Sequence, residues 1–319
     1  MKNTIGFPGL GLEFTVNETA FTLFGLKVQW YGIILTIGII LASMLFYRLT
    51  VKREKIPEDH ILNIALITIP VAIIGARFTY VITNLSDYET IWDALNIRGG
   101  GLAIYGSVVF GFFSILLYCK VKKLPFYKIV DIASLSVMVG QIIGRWGNFI
   151  NAEAFGVSKN IKNLPWRMTI RENGGPVMTV HPTFLYESLW NLLGFLILYR
   201  LYKKKKFDGQ ICLMYVAWYG FGRGLIEFLR TDSLRGIFGE KLFVYFGLGS
   251  FVIATTLLII LLRKAKKHEE ELKVYQEVYG SVENTKEEPS YTAEQIDTTE
   301  ETNDGEDTPD EGETHGNNN

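Results

Sequence analysis

Cysteine is nearly absent: Cys119 and Cys212 are the two in 319 residues. A disulfide framework and a cysteine-ligated zinc cluster are thereby excluded. Histidine is also sparse, at positions 60, 181, 268 and 315, with no HExxH or comparable ligand spacing. No metal is expected, and no cofactor or nucleic-acid partner. An overall excess of one charge is missing too, because 32 basic residues face 33 acidic ones. That balance conceals an asymmetry. Residues 268–319 carry 17 acids and two bases, which leaves the remaining chain at +14. Such an acidic stretch, poor in apolar residues, cannot bury enough surface to offset its ordering entropy, so 268–319 is expected to be a disordered tail behind an integral-membrane domain over 1–267.

Long apolar runs are abundant. Val28–Tyr47, Gly99–Cys119 and Leu242–Leu262 contain no charged residue over 20, 21 and 21 positions. Each is about the length needed to cross the hydrocarbon of a bilayer. Four further runs, near 61–83, 132–152, 184–199 and 211–229, are apolar but interrupted by Arg77, Arg145, Glu187, and Arg223 with Glu227. The reading is an all-α membrane protein, a bundle of about seven transmembrane helices. Basic residues cluster in alternate loops: four in Arg48–Lys55, four in Lys120–Lys128, five in Arg200–Lys206 and four in Arg263–Lys267. By the positive-inside rule the N-terminus lies outside and the C-terminus in the cytoplasm. The first run begins too late, without a basic n-region, to be a removable signal peptide.

A charged side chain in hydrocarbon costs at least ~2.5–3.5 kcal/mol, so such residues face a polar cavity or one another. With this topology Arg77, Arg145, Glu187, Arg223 and Glu227 all fall in the outer half of their spans. Tyr31, Arg98 and Tyr105 join that layer from the outer starts of spans one and three. Arg223, Glu227 and Arg230 share one helical face through i, i+4, i+7 spacing. They read equally well as a structural ion pair or as part of a net-positive pocket. The segment 144–156, Gly-Arg-Trp-Gly-Asn-Phe-Ile-Asn-Ala-Glu-Ala-Phe-Gly, favours the pocket. Its glycines and asparagines suggest a helix that stops inside the membrane boundary, with polar groups facing a cavity.

That segment resembles the signature of the phosphatidylglycerol:prolipoprotein diacylglyceryl transferases, seven-span bacterial membrane enzymes. Other stretches resemble the family in order: Trp30-Tyr31-Gly32, Gly75-Ala76-Arg77, Gly99 to Gly106, His181-Pro182-Thr183 with Tyr186-Glu187, and Gly222-Arg223 with Glu227 and Arg230. The resemblance covers roughly 25–265. It implies transfer of a diacylglyceryl group from phosphatidylglycerol to the lipobox cysteine of a prolipoprotein signal peptide. The reaction forms a thioether and releases glycerol phosphate, in the cytoplasmic membrane of a bacterial cell, with the active site toward the outer leaflet. Arg145, Arg223, Tyr105 and Glu153 become candidate catalytic residues. Tyr31, Arg77, Asn148, Gly156, Glu187, Glu227 and Arg230 become candidate substrate-binding residues. Arginine suits the chemistry, because it stays charged and grips phosphate oxygens in pairs. Some family members carry histidine where this chain has Tyr105, and tyrosine, with a reference pKa near 10, is a poor base at neutral pH. The competing class is a transporter of an anionic or lipid substrate, which places charges near the midplane between repeated halves.

Overall fold

The computed structural model describes residues 2–85, 88, 90–96, 101–157, 161–172, 174–230 and 242–283. Seven long helices among the described residues match the apolar runs. They are α1 (Trp30–Tyr47), α2 (Glu58–Thr83), α4 (Ile104–Lys122), α5 (Phe126–Ile150), α6 (Thr183–Tyr202), α7 (Gln210–Glu227) and α8 (Leu242–Glu283), with a short α3 at Ile91–Leu95. Five of the seven are long and apolar enough to cross a membrane: α1 with its continuation to Arg53, α2, α4, α5 and α8. The other two, α6 and α7, fall short on composition because their buried faces carry polar and charged side chains, Glu187, Ser188 and Asn191 on α6 and Glu227 on α7. Leu66, Ile74, Phe113 and Leu117 stand out from the helical surface, as lipid-facing residues do.

The chain is mostly helical, as expected, but it is not all-α. Strands β1 (Lys2–Phe7), β2 (Leu12–Asn17), β5 (Met168–Glu172) and β6 (Met178–Val180) form an antiparallel sheet in the order β2-β1-β5-β6, and β3 (Thr19–Leu23) pairs with β4 (Leu26–Gln29) as a separate hairpin. The period-two pattern is present in the sequence. Ile5 and Phe7 on β1, and Met168 and Ile170 on β5, are buried together with Val180, Ala152 and Phe184. These runs of three to six residues are too short to stand out against helical spans, and β1 finds β5 only across more than 160 positions of chain. The sheet seats on Phe149 and Phe184, and so on the end of α5 and the start of α6.

Helix ends differ from the charge-free runs as well. Val28 and Gln29 belong to β4, and α4 starts only at Ile104 because Gly101 adopts φ +77°. At the C-terminal side α8 continues to Glu283, so residues 268–283 are helical where an irregular tail was expected. Helix-forming Lys, Glu and Leu with i, i+4 pairing of Glu269 and Lys273 (3.6 Å) account for the extension. The expected tail beyond Glu283 lies outside the described residues. The chain divides into one unit through His268 and a second from Glu269.

In the first unit α5 is the central helix, packed on α1, α6 and α7, while α2 pairs chiefly with α4. A Cβ on Gly106 would lie 2.1 Å from the carbonyl oxygen of Gly75, so only glycine permits the α2–α4 approach. At the end of α5 away from the sheet, a polar network joins α1, α5, α6 and α7. Fully buried Asp131 accepts the backbone N–H groups of Gly209 (2.9 Å) and Cys212 (2.9 Å) and pairs with Lys205 at 3.0 Å. It thereby caps α7, whose own N-cap, Gly209, has no side chain. The Tyr202 hydroxyl donates to Glu54 at 2.6 Å, and Lys128 lies 3.2 Å from the other Glu54 oxygen.

Burial alone would raise the Glu54 carboxyl, but hydrogen bonds from Tyr202 and Lys128, with the charges of Lys128 and Lys205, outweigh it and hold the group below the usual carboxylate range. A carboxyl depressed in the folded state adds stability above its unfolded pKa and loses it as pH falls through the folded value. Glu54→Gln should therefore lower the Tm at pH 7, with the gap to the parent protein narrowing below about pH 4, the ordinary glutamate value. Thermal unfolding in detergent at the two pH values measures it.

Candidate active site

The end of α5, the start of α6 and the end of α7 are brought to one level by backbone pairing at Gly156. Its N–H donates to the His181 carbonyl (3.2 Å), its carbonyl accepts from His181 N–H (2.7 Å), and the N–H of Val157 donates to the Leu229 carbonyl (2.9 Å). A Cβ at 156 would sit 2.7 Å from the Leu229 carbonyl oxygen, which is why glycine occupies the position. Thr183 adds a hydroxyl bond to the carbonyl of Ala154. Between these ties the chain bends sharply, with Ala152 and Ala154 both in the left-handed region at φ 52° and 57°. Non-glycine residues held there cost on the order of 1–3 kcal/mol each. Glu153 projects from between them.

The helix ends deliver three guanidinium groups to one carboxylate. Glu187, 4 % exposed, lies 2.8 Å from Arg145 Nη2, 3.2 Å from Arg223 Nη1 and 3.0 Å from Arg230 Nη1. Fully buried Glu227 takes the other arm of Arg223 at 2.7 Å and faces Arg230 Nε at 3.9 Å. Arg145, the most exposed of the three arginines, also donates to Asn148 Oδ1 (3.3 Å), whose Nδ2 donates to Glu153 (2.9 Å). Tyr31 lies with its ring against Gly147, where a Cβ would be 2.6 Å from Cδ2, and within the field of Glu153 and Arg145. Tyr105, half exposed at the start of α4, lies within the field of Arg223, Glu227 and Arg230.

Ten of the sequence-derived residues thus surround one cluster, and Arg77 does not. Its three nitrogens are taken by backbone carbonyls, Ala94 at 2.7 Å, Asp93 at 2.9 Å and Gly101 at 3.1 Å, with Tyr88 beneath the guanidinium at 5.2 Å. That makes Arg77 a clasp for α3 and the Gly101 turn. Arg98 lies outside the described residues, as do Gly99 and Gly100. The glycines of 144–156 also differ from expectation. Helix α5 runs through Gly144 and Gly147 to Ile150, and Gly147 admits the Tyr31 ring of α1 where a Cβ would lie 2.6 Å from Cδ2. His181, which adjoins the cluster through Gly156, is pushed below its ordinary pKa by burial. Its Nδ1 meets the Tyr186 hydroxyl at 3.2 Å, and Trp166 Nε1 donates to that hydroxyl at 2.8 Å. Nothing in the local pattern marks Trp166, Ala152 or Ala154, whose roles depend on distant chain.

Three guanidinium groups thus face two buried carboxylates, and a third carboxylate, Glu153, reaches Arg145 through Asn148. Residues 18–263 match the family model described as prolipoprotein diacylglyceryl transferase. The chain is 46% identical over 221 residues to the phosphatidylglycerol–prolipoprotein diacylglyceryl transferase of Finegoldia magna, covering 69% of this chain and 86% of that protein. The corresponding protein of Clostridioides difficile is 44% identical over 69% of this chain and 85% of its own length. That of Enterococcus faecalis is 40% identical over 77% and 90%. The match spans the arginine cluster and every helix that builds it, and the chain belongs to the prolipoprotein diacylglyceryl transferase family.

Proposed function

We propose that the chain transfers the diacylglyceryl group of phosphatidylglycerol to the lipobox cysteine thiol of prolipoprotein signal peptides, the first step of lipoprotein maturation. The observation that carries this reading is the convergence of Arg145, Arg223 and Arg230, from three helix ends, around Glu187. In the reaction the thiol sulfur forms a bond to the glyceryl carbon, the carbon–oxygen bond to phosphate breaks, and glycerol phosphate departs with the electron pair while the thiol proton passes to water. The arginines hold the lipid phosphate and stabilise charge as it grows on the leaving group. Asn148 and Glu153 steer Arg145, Tyr31 walls the pocket against Gly147, and Glu227 holds Arg223 in place.

Tyr105 serves as a hydrogen-bonding orienter of substrate. A cysteine thiol already ionises to a few per cent at pH 7, and nearby guanidinium groups favour the thiolate, so no strong base is needed. Arg77 supports the site through α3 instead of binding lipid. A transporter is disfavoured: the arginine cluster lies at one end of the helices that build it, whereas transporters gather such charges near the midplane.

The finer topology belongs to the same proposal. Helices α6 and α7 join the five apolar helices as spans, shielded by their neighbours, which makes seven. The alternation of basic loops supports an N-terminus outside, the residues from 268 onward in the cytoplasm, and the arginine cluster toward the outer leaflet of the cytoplasmic membrane. Residues 1–267 are the catalytic unit in this reading, and deletion of the rest should leave transfer from labelled phosphatidylglycerol to a lipobox peptide largely intact.

Labelled phosphatidylglycerol and a lipobox peptide provide the assay. Arg145→Ala, the more exposed variant, should insert normally and lose about 10²–10³-fold in kcat, and Arg145→Lys should recover little because a point charge cannot reproduce the planar fork. Near-normal turnover of Arg145→Ala and Arg223→Ala would remove phosphate binding from their roles.

Gly156→Ala should destabilise the protein by about 1–3 kcal/mol, the usual cost of overpacking, and reduce transfer although no functional side chain changes. Thermal unfolding and turnover of the inserted variant report both. Tyr105→Phe should slow transfer by about one hydrogen bond to a charged group, ~1.5–3 kcal/mol. A pH–rate profile whose basic limb disappears in that variant would instead make Tyr105 the general base.

A further inference from the structure

The β3–β4 hairpin is amphipathic, and its apolar face is bare. Register pairs Phe21 with Val28, Thr22 with Lys27 and Leu23 with Leu26. Because side chains alternate along a strand and cross-strand partners share a face, Phe21, Leu23, Leu26 and Val28 lie on one side and Thr22 and Lys27 on the other. Phe21, Leu23 and Leu26 are 51, 53 and 73 % exposed. An isolated two-stranded hairpin is marginal in water, and among the described residues β3 and β4 pair only with each other.

The tip sharpens the point. Phe24 and Gly25 both take positive φ, 47° and 79°, the pattern of a tight hairpin turn that normally selects Asn-Gly or Asp-Gly. A phenylalanine in the first of those positions is strained, and its ring is 96 % exposed. The chain keeps a bulky apolar ring where a polar residue would be more stable in water.

The hairpin also has a fixed depth. Residue 29 ends β4 and residue 30 begins α1, one of the helices long and apolar enough to span a membrane. The Trp30 N–H donates to the Glu18 carbonyl at 3.0 Å, which ties the start of the hairpin to the first residue of that helix. Strands of four to five residues reach roughly 15 Å. The polar zone of a leaflet is only about 5–8 Å thick. A hairpin standing upright would carry Phe24 past the headgroups into water, whereas one lying flat puts its whole apolar face on the acyl boundary.

We propose that the β3–β4 hairpin lies flat in the interface of the bilayer that α1 enters. Phe21, Leu23, Phe24 and Leu26 are seated among the upper acyl carbons, and Thr22 and Lys27 are turned to phosphates and water. The occupant of this face is the lipid itself, continuous with the lipid around α1. The hairpin thus holds Trp30 and Tyr31 at a set depth. The inference rests on α1 crossing the membrane and not on the reaction.

Full-length protein with Phe24→Cys, Leu26→Cys or Thr22→Cys, labelled with an environment-sensitive fluorophore, is reconstituted in vesicles of phosphatidylglycerol and phosphatidylethanolamine. The labelled parent corrects for buried Cys119 and half-buried Cys212. Labels at 24 and 26 should emit at shorter wavelength, be quenched several-fold more by lipids brominated on the acyl chain than by aqueous iodide, and reverse that order at 22. Equal iodide quenching at 24, 26 and 22 overturns the proposal. So does protection at 24 and 26 that appears only when a lipobox peptide is added, or only at high protein density, since the face would then belong to the peptide or to a second copy. Two apolar sites keep the test open if one variant fails to fold.

Discussion

Everything at the reactive end of this molecule is organised by the Glu187 carboxylate. A buried carboxylate is expensive to desolvate, and three surrounding guanidinium groups would repel one another without it. Shared among Arg145, Arg223 and Arg230, it makes each of those charges tolerable and fixes their directions before any ligand arrives. Because the three arginines come from the end of α5, the end of α7 and the residues just past it, the relative height of those helices is tied to this one group.

That height is held from the other end too. Asp131 and Glu54 join α1, α5, α6 and α7 through charge and hydrogen bonds. The apolar layer between, with Ile132, Leu135, Met138, Leu198 and Ile211, is well filled but slides more readily than directional bonds allow. A helix clamped by polar networks at both termini cannot shift by a turn without breaking one of them. The α2–α4 pair stands outside this arrangement, joined by small residues at Gly75 and Gly106 and by Arg77, which reaches the Gly101 turn before α4.

Much of this is legible in sequence. Charge-free runs mark the apolar helices, and ionised residues within the others mark the cluster, because the membrane makes both costly to misplace. Arg145, Arg223, Glu187 and Glu227 come together as their positions predict. The small sheet was missed since its strands are short and pair across most of the chain. Arg77 misleads for a related reason: a charge in a span signals a polar partner but does not say whether that partner is a ligand or three backbone carbonyls. Gly147 reads as part of a helix terminus, yet helix ends and close helix contacts both select glycine, and only the neighbouring helix distinguishes them.

The pairing at Gly156 joins three separate parts of the chain through main-chain atoms alone. Main-chain hydrogen bonds do not depend on which side chains flank them, so the pairing itself sets no demand on the identity of Val157 or Leu229. The assembly asks only that one residue lack a side chain. A frame of that kind sets the height of three chain segments without drawing on the charged side chains that the same segments carry.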